Sequence, residues 1–257
     1  MSIVISKLQN RIGYIRMNRP EKRNALNPGL VFELKKNIRN FLSASDCKVI
    51  VLEAEGEAFC AGADLDYLIQ LQNNSFEENL DDSKKLAELF ELIYLSPKPI
   101  IASVQGHALA GGCGLASICD FSIASSNANF GYTEVKIGFI PAIVSVFLVK
   151  KIGEASCRDL LLTGKLISAE QAKEIGLITD IANASNLFER VTQIATDLCE
   201  QTSTQSLAYT KQLLAHFQHP HLTEELDFAA KLNAEARTTA DCKKGVSAFI
   251  SKTKIKW

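Results

Sequence analysis

Two glycine-containing stretches do most to limit the folds open to this chain. Phe59-Cys60-Ala61-Gly62-Ala63-Asp64 and His107-Ala108-Leu109-Ala110-Gly111-Gly112-Cys113-Gly114 each end a strand-like run and open an apolar, helix-like one. A helix start carries N–H groups with no intrahelical partner. If both starts face one point, their amides can hold a single oxygen that becomes negative during a reaction.

The rest of the chain repeats the strand-then-helix order. Ile3 to Leu8 and Ile12 to Met17 alternate around the Gln9-Asn10-Arg11 break, which predicts a pair of strands. From Pro28 to Leu42, apolar residues at Leu30, Leu34, Ile38 and Phe41 follow helical spacing, with proline in the first turn. Lys48 to Leu52, Pro99 to Val104 and Phe121 to Ala124 read as short strands, and Gly111 to Ile118 as a helix. This alternation predicts an α/β fold, either an ordinary layered sheet or a spiral of repeated β-β-α turns. Past Ile152 the β signal fades: Ser168 to Gln171 is a capping box, Gly176 a helix stop, and helices are expected over Leu187–Cys199, Leu207–Phe217, Thr223–Ala236 and Thr239–Ile250. The acidic run Glu77 to Asp82 reads as a solvated loop or helix face. The division expected is a core over 1–200 and a helical region over 201–257. Its apolar faces pack either on a neighbouring subunit or on the chain's own core.

Bulk properties narrow the function classes. A formal net charge of −1 over 257 residues, with acids and bases interspersed, offers no basic stripe to a nucleic acid or a membrane surface. No uninterrupted apolar segment reaches the roughly 18 residues that cross a bilayer, and a cytoplasmic location is the expectation. The seven cysteines lack any repeated CxxC spacing and sit in apolar runs, so they read as reduced core residues.

Among residues that could carry chemistry, Glu134 lies in the apolar, irregular segment Asn129 to Pro141. Desolvation there would raise its pKa and strengthen it as a base, unless a cation such as Lys136 cancels the effect. A surface glutamate in a loop is the plainer alternative. His107 reads as a loop-lining residue and Asp120 as a turn or capping residue. His216, His219 and His221 surround Pro220 without acids or cysteines at ligand spacing, so no metal site is expected. Cys60 and Cys113 flank the glycine loops, but no base stands beside either thiol.

The chain resembles the crotonase (enoyl-CoA hydratase/isomerase) superfamily through "RPEKRNALN", "AFCAGADLDYL", "HALAGGCGLASICDFSIAS", "NFGYTEVKIGFIP" and "LLLTGKLISAEQAKEIGLI". The resemblance implies a crotonase-type spiral of repeated β-β-α units with a C-terminal helical oligomerisation region, forming a homotrimer or a dimer of trimers. It implies an acyl-CoA substrate, with coenzyme A as part of that substrate and no prosthetic group. It places the oxyanion donors on the backbone N–H of Ala63 and Gly111. Two amides on one oxygen suit an enolate formed beside a thioester carbonyl.

The family's best-known hydratases use two glutamates. Here the second is Glu134, while the first position is Gly114, which can neither activate water nor give a proton. Either Glu134 alone moves a proton, as in isomerases, or the space at Gly114 admits a bulkier acyl group while Glu134 handles both water and proton. The motifs look most like the 3-methylglutaconyl-CoA hydratase branch, which implies hydration of a branched or carboxylated 2-enoyl-CoA. Isomerisation, decarboxylation, and a non-catalytic acyl-CoA- or RNA-binding role remain the alternatives. For the CoA moiety the resemblance implies Lys22, Arg23, Ala25, Leu26, Ala61, Asp64 and Leu65, with Phe249 and Lys252 reaching the CoA of a neighbouring subunit. Lys22 and Arg23 also read as a solvated pair after Pro20.

Overall fold

Asn10 and Arg11, both with positive φ (52° and 66°), turn strand β1 (Val4–Gln9) back antiparallel onto β2 (Ile12–Met17), the tight turn expected from the break in alternation. The structure is a computed structural model that describes residues 2–257. Helix α1 (Pro28–Ser43) starts where the Asn27 side chain accepts from Leu30 N–H at 2.9 Å, and it buries Leu30, Leu34, Ile38 and Phe41 along one face.

Then the chain advances in β-β-α steps. These run β3 (Val49–Ala54), β4 (Ala58–Cys60), α2 (Leu65–Leu71) and α3 (Phe76–Tyr94); β5 (Ile100–Val104), β6 (His107–Leu109) and α4 (Gly111–Ile118); and β7 (Phe121–Ser125), β8 (Asn129–Gly131) and α5 (Ala142–Thr163). The first strand of each step joins one sheet, ordered β1-β2-β3-β5-β7-β10, and the second joins another, ordered β4-β6-β8-β9. Pairing is parallel throughout except at the outer pairs β1/β2 and β8/β9. This is the spiral, with each turn contributing one strand to either sheet.

Three strands escape the sequence reading: β8, inside the segment read as irregular, and β9 (Leu166–Ser168) and β10 (Asp180–Ala182), on either side of α6 (Ala169–Glu174). At three residues each they are too short to show alternation. The Ser168 capping box forms as expected. Helices α7 (Leu187–Gln201), α8 (Thr204–Gln218), α9 (Leu222–Thr238) and α10 (Ala240–Ile250) complete the C-terminal helical region.

The main core lies between the sheets and α1, α3, α4 and α5, through residues such as Leu34, Phe59, Phe90, Leu115 and Phe147. Helix α7 covers the far face of the larger sheet, packing Leu187, Val191 and Ala195 on Tyr14, Val51 and Ile101. A small third cluster joins Leu68 and Leu71 of α2, Phe139, and Cys242 and Val246 of α10. The described cysteines are all free and buried. No helix among the described residues is long and apolar enough to cross a membrane.

Candidate active site

The two glycine loops are packed against each other. Gly62 has φ +91°, and a Cβ there would meet the Ala110 Cβ at 2.9 Å. Gly112 sits so close to β4 that its own Cβ would lie 2.3 Å from Cys60 O. Ala110, the residue before α4, holds an unusual φ of 51° and ψ of −128°, a strained conformation that sets the direction of the next amide.

A backbone zipper fixes the first loop. Ala61 N–H donates to Arg23 O (3.0 Å), Leu26 N–H to Gly62 O (2.6 Å) and Asp64 N–H to Leu26 O (2.9 Å), while in the second loop Ala110 N–H donates to Gly131 O (2.7 Å). The amides of Ala63 and Gly111 donate to no protein acceptor among the described residues. Both residues line one mostly apolar cavity of about 330 Å³, together with Leu26 and Glu134.

Glu134 opens a 3-10 turn (Glu134–Ile137) that ends at Gly138. Its Oε2 is buried and has no hydrogen-bond partner among the described residues. Burial pushes the carboxyl up to about 7, against a smaller opposing effect of its own backbone N–H. No cation opposes the shift, and the Lys136 side chain packs against Gly164. The carboxyl is thus poised to exchange a proton near neutral pH.

Gly114 requires a correction. Sequence reasoning took its missing side chain for space that an acyl group could enter, yet Gly114 is buried in α4 and off the cavity lining. A Cβ there would lie 2.2 Å from Val144 Cγ1 and 3.0 Å from the Phe90 ring, so α5 and α3 already fill the position. Val144, not Gly114, faces the cavity. Gly114→Ala is expected to cost ~1–3 kcal/mol of stability through overpacking. Adding Val144→Ala should recover part of that loss in urea denaturation; strictly additive losses would contradict the packing account.

The remaining expected residues separate into two groups. Arg23, Ala25, Leu26, Ala61 and Asp64 come together at the zipper and its flanks, but of these only Leu26 lines the cavity. Asp64 is buried; burial alone would raise its carboxyl, yet Arg19 at 2.5 Å and the N–H of Asp66 hold it below the usual range. Its side chain therefore anchors the loop and caps α2. Lys22 is exposed and paired with Asp66 at 2.7 Å, and Leu65 is exposed. Phe249 and Lys252 lie near the C-terminal end, exposed and away from the cavity lining of their own chain.

Other candidates prove structural. His107 Nδ1 accepts from Asn129 N–H at 3.2 Å, and Asp120 accepts from Ile100 N–H at 2.7 Å and binds Lys211. His219 Nδ1 faces Glu225 Oε2 at 2.7 Å. Burial pushes the thiols of Cys60 and Cys113 up to about 12, which leaves neither as a nucleophile at neutral pH.

The sequence reading missed much of the cavity lining, above all a cluster made by Tyr67, Asp82, Asn233 and Arg237. Asp82, inside the supposedly solvated acidic run, accepts from Arg237 Nη1 at 2.6 Å and from the Tyr67 hydroxyl. Asn233 and Arg237 of α9 complete this wall. Their signal was present: both fall on the stripe of Leu226, Ala229, Ala230 and Ala234, where a polar residue must find a reason to be buried.

Comparison with known proteins agrees with this architecture. The family model described as enoyl-CoA hydratase/isomerase matches residues 7–257. A Thermus thermophilus relative is 39% identical over 95% of this chain and 96% of its own. The 2,3-dehydroadipyl-CoA hydratase of Escherichia coli is 31% identical over 98% of this chain and 97% of its own. A crystal structure of an enoyl-CoA hydratase from Mycobacterium avium superposes with a TM-score of 0.88 at 30% identity, covering 99% of this chain and 98% of that one. With the spiral, the paired glycine loops and a full-length family match in hand, the chain belongs to the enoyl-CoA hydratase/isomerase family.

Proposed function

We propose that this protein is a lyase that hydrates a 2-enoyl-CoA thioester. The observation that carries the reading is the Glu134 carboxyl, buried with one oxygen unpartnered, in the same cavity as the uncommitted amides of Ala63 and Gly111. In the proposed reaction the Glu134 carboxylate takes a proton from water as the water oxygen bonds to C3. The C2–C3 π electrons move onto the thioester oxygen, where the two amides stabilise the enolate. Glu134 then returns the proton to C2, so that one carboxyl serves as base and acid. With Val144 against Gly114, no second carboxylate stands at that position.

The zipper residues Arg23, Ala25, Leu26 and Ala61, with Lys22, Asp64 and Leu65 beside them, form the proposed CoA path, mainly through backbone groups. Phe249 and Lys252 are proposed to meet the CoA of a neighbouring copy in a trimer or dimer of trimers. Exposed Leu213, Leu214 and Phe217 on α8 and Phe228 on α9 support such self-association. A solution mass of one protomer would reject it. The motif likeness to 3-methylglutaconyl-CoA hydratases pointed to a branched or carboxylated acyl group; of these only the branch is kept in the proposal, because every cation on the cavity wall already has an acidic partner.

The test is direct. Incubation with crotonyl-CoA should yield a product heavier by one water, at a rate that rises with pH through about 7 as Glu134 ionises. Conversion of a 3-enoyl-CoA to its 2-enoyl isomer, with no water gained from either thioester, would overturn hydration in favour of isomerisation.

A further inference from the structure

One wall of the cavity comes from α9, where Asn233 and Arg237 stand one helical turn apart on the same face. Their exposures are 5% and 7%, so neither is held there by solvent. Ser83 Oγ donates to Asn79 O at 2.9 Å, so its contact with Asn233 Nδ2 at 3.1 Å runs from amide to hydroxyl. That orients the Asn233 amide and leaves Oδ1 as a buried acceptor with no partner. Arg237 spends Nη1 on Asp82, and its Nε–H is likewise buried and unpartnered. The guanidinium also rests 5.8 Å from the Phe139 ring centroid, and Phe139 N–H donates to Glu134 O at 3.1 Å, which ties this wall to the segment carrying Glu134.

One orphan donor and one orphan acceptor, on residues one helical turn apart in the same cavity wall, match a group that both accepts and donates. Buried polar groups in native proteins nearly always have partners, and a pair on a cavity wall can take them from a ligand that enters the cavity. The charge balance excludes an ionised group. Each cation on the cavity wall is already matched: Arg237 by Asp82 (2.6 Å), Lys85 by Asp81 (2.5 Å) and Lys35 by Glu88 (2.8 Å). Glu134 adds a further acid, so a carboxylate tail would enter without a counter-charge.

We infer that Asn233 and Arg237 form a specificity subsite for a neutral hydroxyl on the acyl chain, which accepts from Arg237 Nε–H and donates to Asn233 Oδ1. This rests on the cavity being the enoyl-CoA site, and it selects a hydroxylated acyl group over an unsubstituted or carboxylated one.

The test uses the full chain and three 2-enoyl-CoA thioesters of matched length, with an unsubstituted, a terminally hydroxylated or a terminally carboxylated tail. The hydroxylated thioester should show the highest kcat/KM, by ~10-fold or more over the unsubstituted one, because a site built to bond a hydroxyl rejects the analogue lacking it. That ratio should fall towards one in Asn233→Leu and in Arg237→Lys, which keeps a cation for Asp82 but removes the Nε–H. Preference for the unsubstituted or carboxylated thioester, or a ratio that survives both substitutions, would overturn the subsite. Absence of turnover with all three would overturn hydration instead. Equilibrium binding of the same three thioesters then decides the subsite alone, with the same order expected and any other order rejecting it.

Discussion

Replacing Glu134 by glutamine is expected to lower kcat on a 2-enoyl-CoA by ~10²–10⁴-fold, the usual worth of a positioned general acid/base, while making the fold more stable at alkaline pH. The two effects share one cause. The carboxyl is held at about 7 by burial, against an ordinary 4.5 when the chain is unfolded. A folded-state value above the unfolded one means that the native protein binds the proton more tightly. The native state therefore bears no penalty below pH 4.5, where both states are protonated. It loses stability as pH rises to about 7, and above that the full penalty of up to about 3 kcal/mol persists. Glutamine carries no charge and escapes it. Urea denaturation of both proteins at pH 5 and pH 8 separates the outcomes: a stabilisation that grows with pH supports the account, and one that is flat with pH rejects it. Unchanged turnover at saturating substrate would remove Glu134 from the chemistry.

Gly112→Ala is expected to reduce kcat by about 10²-fold or more, the scale on which loss of one oxyanion donor is felt, although residue 112 carries no reacting atom. The added methyl would need to sit 2.3 Å from Cys60 O and 2.7 Å from Cys60 Cβ and Sγ. Backbone on one side and a fully buried side chain on the other cannot yield without moving β4 away from α4. Cys60 leads within three residues to Ala63, and Gly112 follows Gly111, so the strain falls on the relative placement of the two amides. Steady-state rates paired with a circular-dichroism melt check this. A folded Gly112→Ala protein with native kcat would show that the spacing of the loops does not govern the rate.

Local signals carried most of the fold. The strand-then-helix order, the proline in the first turn of α1 and the Ser168 capping box all act within a few residues, and each reappears in the structure where the sequence predicts it, whereas the choice of a spiral over a layered sheet came from the family resemblance. The apolar stretch drew attention to Glu134, but a surface glutamate stayed the plainer reading of those residues until the family resemblance placed it at a proton-transfer position. What stayed hidden depends on distant pairing. The role of Asp82 exists only because α9 returns across α3 with Arg237, from a position 155 residues later. Gly114 misled for a related reason: a glycine in a packed helix marks the approach of a neighbour, here Val144, and no local pattern distinguishes that from an opening.

The return of α9 also has a consequence for how the protein is made. A ribosome releases the spiral, with both glycine loops and Glu134, well before Asn233 and Arg237 leave the exit tunnel. A nascent or prematurely terminated chain ending before Leu222 would hold its proton-transfer carboxyl in a cleft missing one side, open to water. The cavity that holds the carboxyl is therefore closed on this side only once α9 has joined the spiral.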